Sequence, residues 1–258
     1  MGTKQDVITK IYKLCKDKQD TVFDNDLVKQ VCKKFNFANP FDATKIDDTT
    51  KLPELLIDED RFILHLGEGR HKFVKGISNG FHIFEEIDEN KIFDWKYRKS
   101  ILNEFDTSES NILSVASNQR IIHDFLYEDI VASPKVYNAR RTKMTIAYRV
   151  GKEKISTINL QMEIDLTMEL HGVVTIFEGK NGFPKDFAVY QLFHPFKYYS
   201  MLKHEKKLEV EMITCCYVLR KRDRGNSVLR LYNYTFEDEN DMSSIKILKS
   251  AQYNMIKR

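Results

Sequence analysis

The chain has 258 residues, of which 42% are hydrophobic, so it can bury the core of one large domain or two small ones, and intrinsic disorder is not the expected state. The 41 basic and 38 acidic residues leave a formal net charge of +3, which neither requires nor excludes a nucleic-acid partner. Because the sequence has no signal peptide, no membrane-spanning segment and no zinc-ligand spacing among its four cysteines, we expect a cytoplasmic protein with reduced thiols and no membrane association.

The first 90 residues are predicted to form a small helical domain that ends in a β-hairpin. Apolar residues recur at helical spacing over residues 5–16 and 27–35, and a third helical stretch follows Pro40. Two apolar runs then flank the turn residues 67–69, which predicts the hairpin.

Three helices followed by a hairpin is the element order of a winged-helix DNA-binding module. Arg70, His71 and Lys72 give the hairpin its charge, and we predict that they contact DNA. A small helical cap with a solvated hairpin explains the same residues and remains open.

Residues 91–258 are predicted to form a second domain of the α/β (α+β) class, with a mixed central sheet flanked by helices. A long helix over residues 107–129 opens its regular structure, after a mixed passage. The later elements are strands over 143–150, 155–170 and 173–180, a helix over 186–204 and a strand over 208–219. This alternation of strands and helices favours an α/β core.

The segment from residue 160 to residue 180 is predicted to be a hairpin of two long strands. Apolar and polar residues alternate without exception from Leu160 to Leu170, which predicts a strand with one buried face. His171 and Gly172 fit a two-residue turn, because both tolerate a positive φ angle.

This turn fixes the register of the two strands. When Leu170 faces its partner across the turn, Asp165 comes opposite Glu178, and Glu163 comes opposite Lys180. Directly opposed residues of antiparallel strands share one face of the sheet with Cβ atoms about 4.5–5.5 Å apart. The register therefore predicts that these charged side chains converge on one patch.

Two carboxylates this close repel each other unless a cation lies between them, and Mg²⁺ prefers oxygen ligands of this kind. We predict that Asp165, Glu178 and the backbone carbonyl of Gly179 bind Mg²⁺, with Mn²⁺ as a substitute. Lys180 is placed to orient or deprotonate an attacking water and to stabilise charge on a phosphate. The alternative is a solvated hairpin face on which Lys180 and Glu163 form an ordinary salt bridge.

The segments MEID, FEGK and DFAVYQLFHPFKYY together resemble the acidic strand, the E-x-K strand and the following helix of the PD-(D/E)XK nuclease superfamily. Within that superfamily they are most similar to the type II restriction endonucleases. The resemblance covers roughly residues 107–219 and departs from the pattern in one letter, since no proline precedes Asp165. It implies Mg²⁺-dependent cleavage of double-stranded DNA at a specific short sequence, with 5′-phosphate products, by a homodimer with a companion DNA methyltransferase.

The resemblance also implies roles for residues outside the E-x-K strand. Glu109 matches an acidic residue that assists the metal site in relatives, although a carboxylate in the first turn of a helix also favours the helix dipole. Gln191 and Tyr198, on the helix after the E-x-K strand, match supporting residues behind the metal ligands. Glu163 is a further supporting residue on the acidic strand.

Arg140, Arg141 and Lys143 form a basic cluster just before a predicted strand. Arginine can bind guanine or phosphate through two hydrogen bonds, so we predict that this cluster contacts DNA. An exposed basic turn with no partner is the alternative.

Three functions are consistent with the sequence. The first is a type II restriction endonuclease, and the second is a structure-specific repair or recombination nuclease of the same fold. The third is a winged-helix DNA-binding regulator whose second domain is catalytically inert.

Overall fold

The computed structural model describes residues 2–98, 101, 108–223 and 226–257. Within these ranges the helices are α1 (Lys4–Asp17), α2 (Asn25–Phe35), α3 (Pro40–Ala43), α4 (Glu54–Asp58), α5 (Ile77–Gly80), α6 (Glu109–Asn118), α7 (Ile121–Tyr127) and α8 (Tyr190–Lys206). The strands are β1 (Val22–Asp24), β2 (Arg61–Gly67), β3 (Arg70–Lys75), β4 (Phe81–Ile83), β5 (Ile92–Tyr97), β6 (Lys135–Met144), β7 (Ala147–Val150), β8 (Glu153–Ser156), β9 (Leu160–Leu170), β10 (Val173–Asn181), β11 (Asp186–Ala188), β12 (Met212–Asp223), β13 (Asn226–Phe236) and β14 (Ile245–Lys257).

A large mixed sheet organises the second half of the chain. Its strand order is β5-β14-β13-β12-β10-β9-β6, and the β10–β12 and β14–β5 pairs are parallel while its other pairs are antiparallel. The chain is therefore a mixed α+β protein with a large central sheet and flanking helices, which confirms the predicted fold class at that level.

Helices cover the middle of this sheet on both faces. Ile176 of β10 and Tyr217 of β12 lie in one apolar cluster with Leu192 of α8. The next residue along β10, Phe177, lies in the other cluster with Ile112 of α6. Because successive residues of a strand point to opposite faces, β10 is buried on both sides and its apolar run is almost continuous.

The second covered face corrects one prediction for β9. Burial alternates from Leu160 to Ile164, as expected, but Thr167 and Met168 are both buried. Met168 packs into the cluster on the α6 side, while the Thr167 hydroxyl lies 3.1 Å from the hydroxyl of Tyr199 on α8. The prediction that β9 has a single buried face is therefore wrong for the half of the strand that follows Ile164.

The N-terminal region consists of α1 to α4 and a small sheet of order β1-β3-β2. The predicted hairpin is confirmed as β2 and β3, and the third helical stretch consists of two short helices, α3 and α4. Strand β1 was not predicted. The buried residues of this region and of α8 belong to one continuous apolar cluster, so the two regions pack against each other.

Other elements differ from the sequence-based expectations. The predicted long helix is two helices, since Arg120 between them adopts a left-handed φ of 61°. The helix expected from residue 186 begins at Tyr190, because residues 186–188 form β11 and pair with β4. Strands β4, β5, β6, β13 and β14 were not predicted, so the basic cluster lies within β6 and not before a strand, and the predicted strand over 155–170 is divided into β8 and β9.

All four cysteines are buried and form no disulfide. No helix in the described ranges has both the length and the apolar character needed to cross a bilayer.

Candidate active site

The turn between β9 and β10 has the predicted geometry. His171 and Gly172 adopt φ angles of 49° and 79°. The register runs from Leu170 opposite Val173 to Leu166 opposite Phe177, as predicted from the turn. Asp165 and Glu178 come one residue beyond the last of these pairs.

Asp165, Glu178 and Lys180 line the same cleft, which has a volume of about 220 Å³. The rest of the lining comes from β9, from the first turns of α8 and from one N-terminal residue, namely Gln161, Met162, Glu163, Tyr190, Gln191, His194, Pro195 and Lys45. The structure therefore brings the three predicted residues together between the sheet and α8.

The carboxylate of Glu178 is held from two sides. Its Oε1 atom lies 3.1 Å from Nζ of Lys180 and accepts a hydrogen bond of 3.3 Å from Nε2 of Gln191. The Tyr217 hydroxyl in turn donates to Oε1 of Gln191 at 2.9 Å. This series of contacts ties the carboxylate to the buried sheet, and it places Gln191 where a supporting residue was predicted.

Asp165 is tied to the neighbouring strand, because its Oδ2 atom accepts a hydrogen bond of 3.2 Å from the backbone N–H of Gly179. The Glu178 and Lys180 side chains are only 15% and 17% exposed. The predicted alternative, a solvated face with a Lys180–Glu163 salt bridge, is not what forms, since Glu163 pairs with Arg141.

Two aromatic groups in the cleft are neutral. Burial, followed by the charges of Asp47 and Glu178, raises the pKa of the Tyr190 hydroxyl. Burial, followed by the charge of His65, lowers the pKa of His194 to about 3. Tyr190 therefore keeps its proton as a hydrogen-bond donor, and His194 stays an uncharged imidazole.

The residues present fit a small hard cation. Mg²⁺ commonly takes one or two carboxylates from a protein and keeps several waters, and a cleft of about 220 Å³ has room for them at about 30 Å³ per water. No group of three or more His, Cys, Asp or Glu side chains suited to a metal occurs in the described part of the chain. The carboxylates that line this cleft are Asp165, Glu178 and Glu163, and Glu163 is paired with Arg141.

The remaining predicted supporting residues lie elsewhere or outside the described part. The ring of Tyr198 lies under the guanidinium of Arg140, 5.1 Å from centroid to Cζ. Tyr198 therefore supports Arg140 in this structure. Glu109 is the first residue of α6, and its side chain lies outside the described residues.

Arg140 and Arg141 of the basic cluster lie on β6, which pairs with β9 on the edge opposite to β10. Arg140 and Arg141 line a cleft of about 240 Å³ together with Glu163 and Asp165. Both arginines are exposed on the edge strand of the large sheet.

The hairpin residues have three different environments. Arg70 is exposed and lines a cleft of about 360 Å³ with Lys143 of β6, so two predicted DNA contacts far apart in sequence meet there. Lys72 forms an ion pair of 2.7 Å with Glu153 of β8. Gln161 of β9 lines both the cleft of Arg70 and Lys143 and the cleft that contains Asp165.

His71 differs from the other predicted DNA contacts because its ring is buried, and its contact with DNA stays a prediction. Its imidazole is 5% exposed, stacks on Phe23 and forms hydrogen-bond contacts at 2.8 Å with Nδ1 of His65 and at 2.9 Å with Oδ1 of Asn25. Burial, followed by the charge of His65, lowers the pKa of His71 to about 3. A buried neutral ring with both nitrogens engaged holds the hairpin in place, beside the cleft that His71 lines together with Arg70.

Sequence analysis did not identify six of the cleft residues, of which Met162 and Pro195 are apolar and the other four are polar. Tyr190 and His194 could have been found, since His194 lies four residues after Tyr190 and three after Gln191 on the same helix, and Gln161 belongs to the polar set of β9. Lys45 carries no such signal, because it lies in an irregular loop of the N-terminal region.

Comparisons with known proteins give families without an assigned function. Residues 5–73 match the family described as domain of unknown function DUF6996, and residues 76–254 match domain of unknown function DUF6997. No curated protein and no solved structure matches the chain. The predicted boundary at residue 90 stays a prediction. Because the second match covers more than half of the chain, the protein belongs to the family described as domain of unknown function DUF6997.

Proposed function

We propose that the protein is a Mg²⁺-dependent DNA endonuclease of the PD-(D/E)XK type, and more narrowly a type II restriction endonuclease. The observation that carries the proposal is the shared, mostly buried cleft of Asp165, Glu178 and Lys180. An ordinary solvated hairpin has no reason to bury two carboxylates and an ammonium together, since desolvating charged groups is costly.

In this proposal Asp165, Glu178 and the Gly179 carbonyl hold the cation, which is Mg²⁺ or, as a substitute, Mn²⁺. The bound ion supplies positive charge to the phosphate and lowers the pKa of a water molecule. Lys180 donates hydrogen bonds to the attacking water or to the phosphate oxygens. Gln191 keeps Glu178 in place through its contact with the sheet.

The basic residues around the cleft support a DNA substrate. The cleft of Arg70 and Lys143 adjoins the central cleft through Gln161, and Arg140 with Arg141 border Asp165. Lysine and arginine side chains along a groove attract the phosphate backbone whatever its sequence. The N-terminal helices and hairpin act in this proposal as a winged-helix module that positions the duplex.

The proposal includes a homodimer that presents one cleft to each DNA strand, together with a companion DNA methyltransferase. The inert regulator is the weaker alternative, because a regulator needs no Asp165–Glu178–Lys180 cleft. The structure-specific nuclease uses the same cleft and differs only in the DNA that it cuts.

Plasmid cleavage by the purified protein tests the proposal. We expect discrete fragments in the presence of Mg²⁺ and none with a chelator. Asp165→Asn and Lys180→Met should each lower the cleavage rate at least about 100-fold, since each removes a group that acts on the reacting phosphate. Glu205→Gln and Lys206→Met are matched controls, because both residues are exposed at the end of α8, and they should cut at the rate of the unmodified protein.

The outcomes separate the three functions. Undiminished cutting by folded Asp165→Asn protein would remove the proposed site. Nicking at branches or degradation from ends would identify a structure-specific nuclease. Equal DNA affinity with and without a divalent ion, and no strand scission under any metal, would identify the inert regulator.

A further inference from the structure

Lys45 lies in the irregular segment between α3 and α4, yet it reaches the cleft of the second region. It lines the central cleft together with Asp165, Glu178 and Lys180. It also lines a neighbouring cleft of about 210 Å³ with Lys51. Lys45, Lys180 and Gln191 belong to both linings, so the two clefts are adjacent.

The segment that carries Lys45 is fixed on both sides of it. The neighbouring residues Thr44 and Ile46 are buried, and Nζ of Lys4 donates to the Lys45 carbonyl at 3.0 Å. Two residues further on, the carbonyl of Asp47 accepts a hydrogen bond of 2.8 Å from the backbone N–H of Ala188 in β11. The position of Lys45 is therefore fixed relative to α8 and the central cleft.

A second anchor joins the same segment to β11. The backbone N–H of Thr49 donates to Oδ1 of Asp186 at 2.8 Å, and the Thr49 hydroxyl contacts the other oxygen of that carboxylate. Asp186 is buried and lies four residues ahead of Tyr190, where α8 begins.

The charges around Lys45 leave its ammonium available to a ligand. Lys51 is paired with Asp47 at 3.0 Å and with Asp48 at 3.3 Å, and Lys180 contacts Glu178. Within the described ranges the Lys45 ammonium forms neither a hydrogen bond nor an ion pair.

Asp47, the acidic residue nearest to Lys45 in the sequence, already forms an ion pair with Lys51. Burial opposes its ionisation, yet the hydrogen bond and charge of Lys51, followed by the charges of Lys180 and Lys45, hold the pKa of Asp47 below its usual value. This carboxylate is therefore ionised and engaged by Lys51.

We infer that Lys45 binds a backbone phosphate of the DNA strand that is cut, beside the phosphate held at Asp165 and Glu178. The inference rests on the proposed nuclease function and extends it, because it makes the N-terminal region part of the active site. A lysine is suited to this role, since its compact charge on a flexible stem can follow a phosphate oxygen.

Two measurements on Lys45→Met, Lys45→Arg and the control Lys13→Met test the inference. Lys13 is an exposed lysine of α1 that lines none of the clefts described above. The first measurement is the rate of single-turnover cleavage of a duplex with excess protein and Mg²⁺. The second is the salt dependence of duplex binding by the same variants in an Asp165→Asn background, where no cleavage intervenes.

We expect Lys45→Met to slow cleavage about tenfold or more and to reduce the slope of log affinity against log salt by about one, because one phosphate contact is lost. Lys45→Arg should keep most of the rate and the full slope, and Lys13→Met should match the unmodified protein.

Each contrary result has a distinct meaning. If the unmodified protein cuts DNA and Lys45→Met cuts equally well, the inference is overturned while the nuclease function stands. A loss in Lys45→Met that Lys45→Arg does not restore, with an unchanged salt slope, overturns it too, since a structural role gives that pattern. If the unmodified protein cuts no DNA, the proposed function fails and this inference fails with it.

Discussion

Gln191 connects the buried sheet to the Glu178 carboxylate. Its amide nitrogen donates to Glu178, and its amide oxygen accepts from the fully buried Tyr217. An amide with both ends engaged has one orientation, so the carboxylate that it contacts is held in one position. Groups of this kind affect metal affinity although they do not touch the metal.

Replacing Gln191 with Leu should raise the Mg²⁺ concentration for half-maximal cleavage about 10- to 100-fold, because Glu178 loses the group that orients it. It should also lower the free energy of unfolding by about 1–3 kcal/mol, because the Tyr217 hydroxyl is left without its acceptor. A Mg²⁺ titration of the cleavage rate and urea denaturation measure the two effects.

Tyr198→Phe is the matched control, because Tyr198 lies on the same helix and was predicted for the same supporting role. Its ring contacts Arg140, so removing its hydroxyl should leave the Mg²⁺ dependence unchanged. An equal shift in both variants would contradict the role of Gln191.

The candidate site was predictable as far as local geometry determines it. Alternation in β9 and the glycine at position 172 fix a register, and that register brings Asp165 and Glu178 together. Lys45 and His71 show the limit. The position of Lys45 in the cleft depends on how a loop docks onto β11. The burial of His71 depends on its contacts with Phe23 and Asn25. Contacts between residues distant in sequence leave no periodic pattern, so the sequence did not predict either position.

At the scale of elements, the β2–β3 hairpin docks against the start of β9. The backbone N–H of Ile158 donates to the Leu66 carbonyl at 2.9 Å. Gly67 follows directly with a φ of 85°, and a Cβ atom at this position would lie 1.9 Å from the Ile158 carbonyl oxygen. Gly67 is therefore required both for its backbone angle and for the close approach of two segments.

Gly67→Ala should be clearly more destabilising than Gly182→Ala. Gly182 has nearly the same φ, 84°, but a Cβ atom added there would have no neighbour within 4 Å, so alanine should cost about 1–3 kcal/mol from backbone strain alone. At Gly67 the steric contact should add about another 1–3 kcal/mol. Urea denaturation of both variants gives the difference, and equal losses would show that the Ile158 segment moves aside without cost.

Predictability also differs among the elements. Strands β9 and β10 carry strong period-two or apolar patterns, and the sequence identified both. Strands β13 and β14 were missed, although each pairs along nearly its whole length, because no apolar pattern was recognised after residue 219. The break between α6 and α7 was missed because Arg120 rather than glycine adopts the left-handed conformation there.

At the scale of the whole molecule, the two matched regions share one of the two apolar clusters and both line the clefts around Asp165. Residues of α1, β2, α8 and β12 belong to the same buried cluster. Lys45 of the N-terminal region lines the central cleft, and Arg70 lines the cleft that shares Gln161 with it. The relative position of the two regions therefore matters for the proposed activity as much as the local geometry of either one.

Each of the two regions contains a buried histidine, His71 in the first and His194 in the second. The rings of His65 and Tyr190 are 5.9 Å apart between centroids, and His65 also contacts His71. On α8, Nε2 of His194 lies 2.9 Å from the hydroxyl of Tyr148. Burial lowers the pKa of His71 and of His194 to about 3, so both rings stay neutral in the folded protein at pH values where an exposed histidine is charged.

These histidines should make the protein less stable in mild acid. Below about pH 6.5 the unfolded chain binds protons that folded His71 and His194 do not, so the free energy of unfolding should fall with pH until the folded pKa near 3 is reached. His194→Gln, which keeps a hydrogen-bonding group beside Tyr148, should lose about 2 kcal/mol less than the unmodified protein between pH 7 and pH 5. His171→Gln is the control, because that side chain is exposed at the turn between β9 and β10, and it should keep the unmodified pH dependence. Urea denaturation at several pH values measures these differences, and identical pH profiles for the two variants would show that the neutral, buried state of His194 is not the source of acid sensitivity.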